Sequence, residues 1–160
     1  MFKPLQKQLD QTQLYAYFLE NIQGYIHFSE NPLTNLANFA AIVKYFFDDV
    51  NWAGFYLFDG KKLYLGPFQG LPACTTIELG KGVCGTAAQS RKTIVVPDTH
   101  QFAGHIVCDE ASLSEIVIPI IKNDQLYGVL DLDSPILNRF NESDQKILEK
   151  AIHVLIDNLR

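Results

Sequence analysis

Hydrophobic residues in the first third of the chain recur at helical spacing. Apolar side chains fall three or four positions apart in residues 11–22 and again after Asn31, a pattern typical of amphipathic helices. Asp10 and Asn31 are suitable N-caps, and we expect Gly24 to end the first helix. The pattern therefore predicts N-terminal helices within residues 11–47.

The same spacing returns at the end of the chain. Asn141 is expected to cap a last helix within residues 141–160, and Glu142 and Asp144 favour its positive N-terminus. The apolar positions of this helix predict one buried face, made of Ile147, Leu148, Ala151, Ile152, Leu155 and Leu159.

Between these helices the period changes to two. Residues 52–58 are rich in strand-forming types, and Asp59 with Gly60 is a strong hairpin signal. Alternation places Trp52, Gly54 and Tyr56 on one face of the strand. Because Gly54 has no side chain, it leaves room between the rings for a ligand or for a packed helix.

Two later strands are predicted at residues 115–121 and 126–133. If they pair as an antiparallel hairpin, the start of the first lies beside the end of the second. Glu115 is then close to Asp131 and Asp133. This pattern predicts three acids at one end of the sheet, either as a binding site or as solvated edge charges.

All three cysteines lie in the connections of this central region. A short helix at residues 86–90 is expected after the glycine-rich turn at 80–85, which places Cys84 near a helix N-terminus, where the dipole favours a thiolate. Cys74 lies in an earlier loop, and Cys108 lies in a long connection before the last hairpin. Connections of that length are usually functional or disordered.

Together these elements predict one α+β domain spanning residues 1–160. We expect N-terminal helices at 11–47, sheet and active-site loops at 51–134, and a C-terminal helix at 141–160. The terminal helices would pack on one face of a central antiparallel sheet, and the loops would cover the other.

Composition narrows the function. A net charge of −5 without a basic patch argues against nucleic-acid binding, and no apolar run reaches the ~20 residues of a membrane span. Three cysteines without a signal-like apolar segment predict a cytoplasmic protein with reduced thiols.

The candidate chemistry is thiol chemistry. One nucleophilic and one resolving cysteine suffice for a redox cycle through a sulfenic acid, and the acids could hold an ammonium group or donate a proton. A metal site from Cys84, Cys108, His100 and His105 is the alternative, but their spacing is not that of a known zinc motif.

Six ordered motifs carry a resemblance to a known family. They are residues 51–56 (NWAGFY), 65–70 (LGPFQG), 80–85 (GKGVCG), 104–109 (GHIVCD), 114–117 (SEIV) and 130–134 (LDLDS). Together they resemble the free methionine-(R)-sulfoxide reductases, which are small GAF-domain enzymes. The resemblance covers residues 37–148.

The resemblance implies a GAF fold with a ligand cavity, no cofactor and no metal. It implies reduction of free L-methionine (R)-sulfoxide to methionine, with thioredoxin as the reductant. Cys108 matches the nucleophile, Cys74 matches a resolving cysteine, and Cys84 is an alternative resolving thiol.

The remaining site residues also come from the resemblance. Trp52 matches an aromatic wall for the substrate methyl group, with Tyr56 nearby, and Glu115, Asp131 and Asp133 match the acids that bind the ammonium group. Either Glu115 or Asp133 would protonate the sulfoxide oxygen. A GAF sensor without catalysis and a metal-binding domain are the alternatives, and a homodimer is compatible with the fold.

Overall fold

The computed structural model describes residues 2, 4–5, 9–28, 31–106 and 110–159. In these residues, two helices precede the first strands, a third helix lies between the strands, and a fourth helix follows the last strand. The helices are α1 (Gln11–Tyr25), α2 (Pro32–Phe46), α3 (Gly82–Ser90) and α4 (Glu142–Asp157). The strands are β1 (Trp52–Phe58), β2 (Lys62–Gln69), β3 (Thr76–Glu78), β4 (Ile94–Val96), β5 (Ser114–Lys122) and β6 (Gln125–Ser134).

The strands form one sheet in the order β3-β2-β1-β6-β5-β4. Every neighbouring pair is antiparallel. The two predicted hairpins, β1–β2 and β5–β6, are therefore confirmed. β1 and β6 lie at the centre, so residues on these strands have neighbours on both sides.

Alternation along the central strands gives the sheet two buried faces. Ala53 and Phe55 of β1 and Leu132 of β6 belong to a large core that also contains the apolar faces of α1, α2 and α4. Trp52 and Tyr56 point the other way, into a smaller cluster with α3. The helices at the chain ends thus pack on one face, as predicted. The opposite face is covered by α3 as well as by loops, whereas the prediction placed only loops there.

Helix capping follows the sequence closely. The Asp10 side chain accepts a hydrogen bond from the Gln13 backbone in a capping box, and Asn31 caps α2 through Leu33 N. Asn141 forms a second capping box with Asp144. Each cap satisfies backbone N–H groups that have no partner inside the helix.

The predicted stop at Gly24 is wrong. α1 continues through this residue to Tyr25, and Ile26 N still donates to Ile22 O at 2.9 Å. A glycine ends a helix when it adopts a left-handed conformation, and Gly24 is not among the residues with positive φ.

The last helix is buried as predicted: its apolar positions all lie in the large core, namely Ile147, Leu148, Ala151, Ile152, Leu155 and Leu159. Across the described ranges, no helix combines the length and apolar character needed to span a bilayer.

Candidate active site

Cross-strand pairing brings the predicted acids together. Glu115 on β5 lies opposite Asp133 on β6, and Asp133 lies opposite Trp52 on β1. Asp131 occupies the next position on the same face of β6, opposite Gly54. Directly opposed residues place their side chains on the same side of a sheet. The expected cluster at this end of the sheet is therefore confirmed.

α3 carries Cys84 onto this cluster. The helix begins at Gly82, four residues earlier than predicted, so Cys84 lies in its first turn. Gly85 allows the helix to approach β3 closely, because a Cβ at this position would lie 2.3 Å from the Glu78 carbonyl oxygen. The approach places Cys84 Sγ 3.2 Å from Asp131 Oδ2.

The expectation that the helix dipole makes Cys84 a thiolate is wrong. Burial raises the pKa of the Cys84 thiol well above its usual value, and the negative charges of Asp131 and Glu115 raise it further. Desolvation and like charge both disfavour the thiolate. Cys84 is thus a neutral thiol that donates a hydrogen bond to Asp131.

Glu115 and Asp131 are buried and Asp133 is half-buried, so the cluster is not a set of solvated edge charges. Glu115 and Asp131 are each only 5% exposed. Burial raises the pKa of both carboxyls; the charge of Asp133 adds to the effect on Glu115, and that of Glu115 adds to the effect on Asp131. One oxygen of Asp131, Oδ1, is buried and has no hydrogen-bond partner in the described ranges.

Three aromatic rings stack beside the acids. The Trp52 ring lies 5.9 Å from that of Tyr56 and 5.3 Å from that of Phe68, with interplanar angles of 24° and 14°. The Trp52 indole N–H donates to the Leu71 carbonyl, and the Tyr56 hydroxyl donates to the Cys74 carbonyl. Both polar groups are satisfied, which holds the rings in place.

The space expected beside Gly54 is filled by the side chains of Phe68 and Trp52, and not by a ligand or a packed helix. A Cβ on this residue would lie 2.3 Å from Phe68 Cβ and 2.8 Å from the Trp52 indole. The glycine instead lets β2 bring Phe68 against Trp52.

A cavity opens between these groups. Six predicted site residues line it: Trp52, Tyr56, Cys84, Glu115, Asp131 and Asp133. Further lining residues include Ala73, Ile77, Val83, His105, Ile106 and Ser112. Apolar walls with a few convergent polar groups are typical of a small-molecule site.

His105, which the sequence analysis named only as a candidate metal ligand, also lines the cavity. Its Nε2 lies 3.4 Å from Glu115 Oε2, and its side chain is only 14% exposed. Burial lowers the pKa of this imidazole. The available signal was its position three residues before Cys108 in the GHIVCD motif. His100, by contrast, is 71% exposed and contacts Asp98.

The cysteines differ in state. Cys74 is disulfide-bonded, whereas Cys84 is free and buried. Cys74 also packs against the smaller hydrophobic cluster, next to the hydroxyl of Tyr56. Cys108, the predicted nucleophile, lies outside the described residues. The metal set proposed from sequence does not assemble around Cys84, because His100 lies at the surface.

Comparison with known proteins agrees with this geometry. The GAF domain model matches residues 32–155. The free methionine-R-sulfoxide reductase of Escherichia coli is 41% identical over 144 residues, which cover 90% of this chain and 87% of the relative.

Two solved structures of such enzymes are similar to this chain in fold and in sequence. The fRMsr of Staphylococcus aureus, in complex with its substrate, superposes with a TM-score of 0.87 at 44% identity, covering 91% of this chain and 95% of that one. The free methionine-R-sulfoxide reductase of Neisseria meningitidis, also in complex with its substrate, gives 0.92 at 38% identity and covers 99% and 95%.

The sheet, its flanking helices and the matched model define a GAF domain. Within that class, the chain belongs to the free methionine-(R)-sulfoxide reductase family. The resemblance drawn from the six motifs and the predicted α+β fold are both confirmed.

Proposed function

We propose that this chain is an oxidoreductase that reduces free L-methionine (R)-sulfoxide to L-methionine in the cavity beneath α3. The observation that carries the proposal is the cluster of buried Glu115 and Asp131 with half-buried Asp133, next to the stacked ring of Trp52. An amino acid with a free ammonium group and an apolar side chain complements both halves of this cavity.

The acids select a free amino acid. Within residues 2–106 and 110–159, as far as they are described, Asp131 Oδ1 is buried and has no hydrogen-bond partner. A ligand ammonium group supplies both the missing donor and the compensating charge. A methionine sulfoxide inside a protein has no such group, so its entry would leave buried carboxyls unpaired, at a cost of several kcal/mol.

The aromatic residues receive the other end of the substrate. Trp52 and Tyr56 line the cavity with their rings fixed by hydrogen bonds to backbone carbonyls. Sulfur and methyl groups pack favourably against aromatic rings. In this proposal Trp52 forms the wall against the methyl group, with Tyr56 behind it.

The reducing step uses Cys108 as nucleophile. Its thiolate attacks the sulfoxide sulfur while Glu115 or Asp133 protonates the oxygen. The hydroxyl then passes to the Cys108 sulfur as the S–O bond of the substrate and the transient bond between the two sulfurs break. Methionine leaves with its sulfur reduced by two electrons, and Cys108 is oxidised to a sulfenic acid. The raised pKa of Glu115 supports this role, because a protonated carboxyl is required for the transfer.

A second cysteine then resolves the sulfenic acid. Its thiol attacks the Cys108 sulfur, a disulfide forms, and the oxygen leaves as water. We rank Cys74 ahead of Cys84 for this step. Cys74 is disulfide-bonded whereas Cys84 is free, and the raised pKa of Cys84 makes it a poor attacking thiol.

Thioredoxin is the proposed reductant that reopens the disulfide by thiol exchange. It supplies the two electrons that each turnover consumes. A cycle that needs reduced thiols fits the cytoplasm. A homodimer stays a prediction.

Mass mapping of cysteines after one turnover tests these roles. Fully reduced protein is mixed with one equivalent of methionine (R)-sulfoxide, alkylated and digested. We expect Cys74 and Cys108 to be recovered as one disulfide-linked pair and Cys84 to be alkylated. The Cys108→Ser variant should release no methionine.

Two results would contradict the assignment. Recovery of a Cys84–Cys108 disulfide from the wild-type protein would reverse the ranking of the resolving thiols. Methionine formation by Cys108→Ser at the wild-type rate would exclude Cys108 as the nucleophile.

A further inference from the structure

Three potential metal ligands from three different segments converge at the back of the cavity, and a fourth, His105, lies beside one of them. Cys84 Sγ on α3 lies 3.2 Å from Asp131 Oδ2 on β6 and 4.0 Å from Glu115 Oε1 on β5. Ligand atoms of these three residues all lie within 4.8 Å of one another. On the other side, His105 Nε2 lies 3.4 Å from Glu115 Oε2.

These separations are those of a tetrahedral zinc shell. Zinc binds about 2.3 Å from a thiolate sulfur and about 2.0–2.2 Å from imidazole nitrogen or carboxylate oxygen. Tetrahedral bonds of that length hold the ligand atoms about 3.4–3.6 Å apart. The observed distances from Cys84 to Asp131 and Glu115 bracket this range, so small shifts would bring these three residues to tetrahedral spacing. His105 lies outside this group and would have to turn from Glu115 towards the metal to supply the fourth ligand.

The site is also built to hold a positive charge. Glu115 and Asp131 are each 5% exposed, and Cys84 is 4% exposed. Asp131 Oδ1 is buried, has no hydrogen-bond partner among the described residues, and belongs to a side chain that lines the cavity. An unpaired buried carboxylate oxygen is costly, and a cation in the cavity would satisfy it.

The mixture of donors favours one class of cation. Mg²⁺ and Ca²⁺ select oxygen ligands alone, whereas a thiolate with imidazole and carboxylates suits zinc. Each residue is also fixed by its segment, since Glu115 and Asp131 lie on paired strands and Cys84 lies on the docked helix.

We propose that the reduced protein binds one Zn²⁺ through Cys84, Glu115, Asp131 and His105, and that this zinc excludes the amino-acid substrate. The metal is an inhibitory ligand here, and it takes no part in the redox cycle. The thiol proton of Cys84 passes to solvent as the Zn–S bond forms. The exclusion of substrate by zinc rests on the proposed function, whereas zinc binding itself does not.

Direct zinc binding is measured first, with no substrate present. Reduced, metal-free protein is titrated with zinc in competition with a chromophoric chelator, under anaerobic conditions. We expect one equivalent to bind to the wild type. Cys84→Ser, Asp131→Asn and His105→Gln should each weaken binding by about 10-fold or more.

Cys74→Ser is the matched control, because it also removes one thiol next to the cavity but none of the proposed ligands. It should bind zinc as the wild type does. The proposal is overturned if the wild-type protein and all its variants fail to bind zinc. It is also overturned if Cys74→Ser loses binding while Cys84→Ser keeps it, or if all the variants bind equally.

Three independent ligand variants keep the test decisive if one of them folds poorly. Thermal unfolding of each metal-free variant identifies such a case. X-ray absorption of the zinc complex provides a second readout, since the proposed shell contains one sulfur and three nitrogen or oxygen ligands.

Exclusion of substrate is tested afterwards. Methionine (R)-sulfoxide should displace zinc from the wild type, whereas alanine, which chelates zinc in solution through the same backbone groups, should displace much less. In turnover assays zinc should raise KM and leave kcat unchanged. If zinc binds with the predicted variant pattern but methionine sulfoxide displaces no more than alanine does, the metal site stands and its exclusion of substrate is wrong.

Discussion

Asp131 is positioned between a buried thiol and the open cavity. One carboxyl oxygen accepts a hydrogen bond from Cys84, and the other has no hydrogen-bond partner in the part of the chain that the structure describes. Burial raises the pKa of Asp131, and the neighbouring charge of Glu115 adds to this effect. In the ligand-free protein, carboxyl groups of this cluster therefore keep their protons. A bound ammonium group would favour loss of these protons, because its positive charge stabilises the carboxylates.

Stability should depend on pH in a direction fixed by these carboxyls. Their pKa values in the folded protein lie above the usual values of 3.8 for Asp131 and 4.5 for Glu115. The folded state thus holds protons that the unfolded chain releases. We expect the free energy of unfolding to fall as the pH rises from about 4 through the folded-state pKa values, by up to about 1.4 kcal/mol per pH unit for each group.

The Asp131→Asn variant tests this expectation. It removes one of the two carboxyls whose pKa is raised in the folded protein, so the fall with pH should be less steep than in the wild type. Urea unfolding between pH 4 and 8 measures the slope. Asp157→Asn, which removes an exposed carboxylate at the end of α4, is the control. An equal slope in Asp131→Asn and the wild type would contradict the account.

The positions of the acids could be predicted from the sequence, but the protonation state of the neighbouring thiol could not. Pairing and alternation sufficed to bring Glu115 next to Asp133, because register follows from the hairpin. The state of Cys84 could not be predicted in this way. A helix N-terminus favours a thiolate, but burial against Asp131 has the opposite effect and dominates, and burial depends on tertiary packing.

At the scale of elements, the docking of α3 determines the geometry of the site. Gly80 N donates to Gly85 O at 2.8 Å, and Gly85 N donates to Lys81 O at 3.0 Å. These bonds join the turn to the first helical residues. The glycine-rich pattern at 80–85 predicted a turn, and the helix started early because the turn itself is helical from Gly82.

Gly85→Ala should disturb this docking. The new Cβ would lie 2.3 Å from the Glu78 carbonyl oxygen, so α3 must move away from β3. We expect a loss of about 1–3 kcal/mol in the free energy of unfolding and a weaker contact between Cys84 and Asp131. Urea unfolding measures the first effect, and a higher KM for methionine sulfoxide reports the second.

Gly24→Ala is the matched control for that variant. Gly24 also lies in a helix, but a Cβ there meets no atom within 4 Å. Alanine in a helix is better than glycine by about 0.5–1 kcal/mol, so this variant should gain stability. A stabilised Gly85→Ala would show that α3 is not held by close backbone contact.

The connection from β4 to β5 is tied at its base. Thr99 is buried; its hydroxyl donates to the Ser112 carbonyl at 2.9 Å, and its backbone N–H donates to the Leu113 carbonyl. These bonds join the start of the connection to its end. The connection thus projects from a fixed base towards the cavity, where it supplies His105.

Thr99→Val should remove the side-chain tie while keeping the shape. The Ser112 carbonyl would lose a buried donor, at a cost of about 1–2 kcal/mol. Thr34→Val removes a hydrogen bond of the same 2.9 Å length to a backbone carbonyl, but at an exposed position. Since water can replace that donor, its cost should stay within about 0.5 kcal/mol. Equal losses in the two variants would contradict the role of the tie.

For the whole molecule, the two faces of the sheet have different functions. The face towards α1, α2 and α4 is a continuous apolar core. The opposite face carries a smaller cluster that leaves a cavity lined by acids, rings and a thiol. Because the strands at the centre are supported from the first face, the second can keep a cavity and unpaired polar atoms.

The order of elements and the choice of faces were predictable because they follow from periodicity. The substrate was not predictable in that way, since a GAF fold can hold many small ligands. It followed from the motifs, which place cysteines and acids in one order along the chain.

The most direct test of the account is a single-turnover count of methionine released and thiols lost. Reduced protein, without thioredoxin, is mixed with free methionine (R)-sulfoxide or with its N-acetyl derivative, which has no ammonium group. The account predicts one methionine and two lost thiols per chain with the free amino acid, and neither with the derivative. Methionine release without thiol loss, or equal reduction of the N-acetyl derivative, would contradict it.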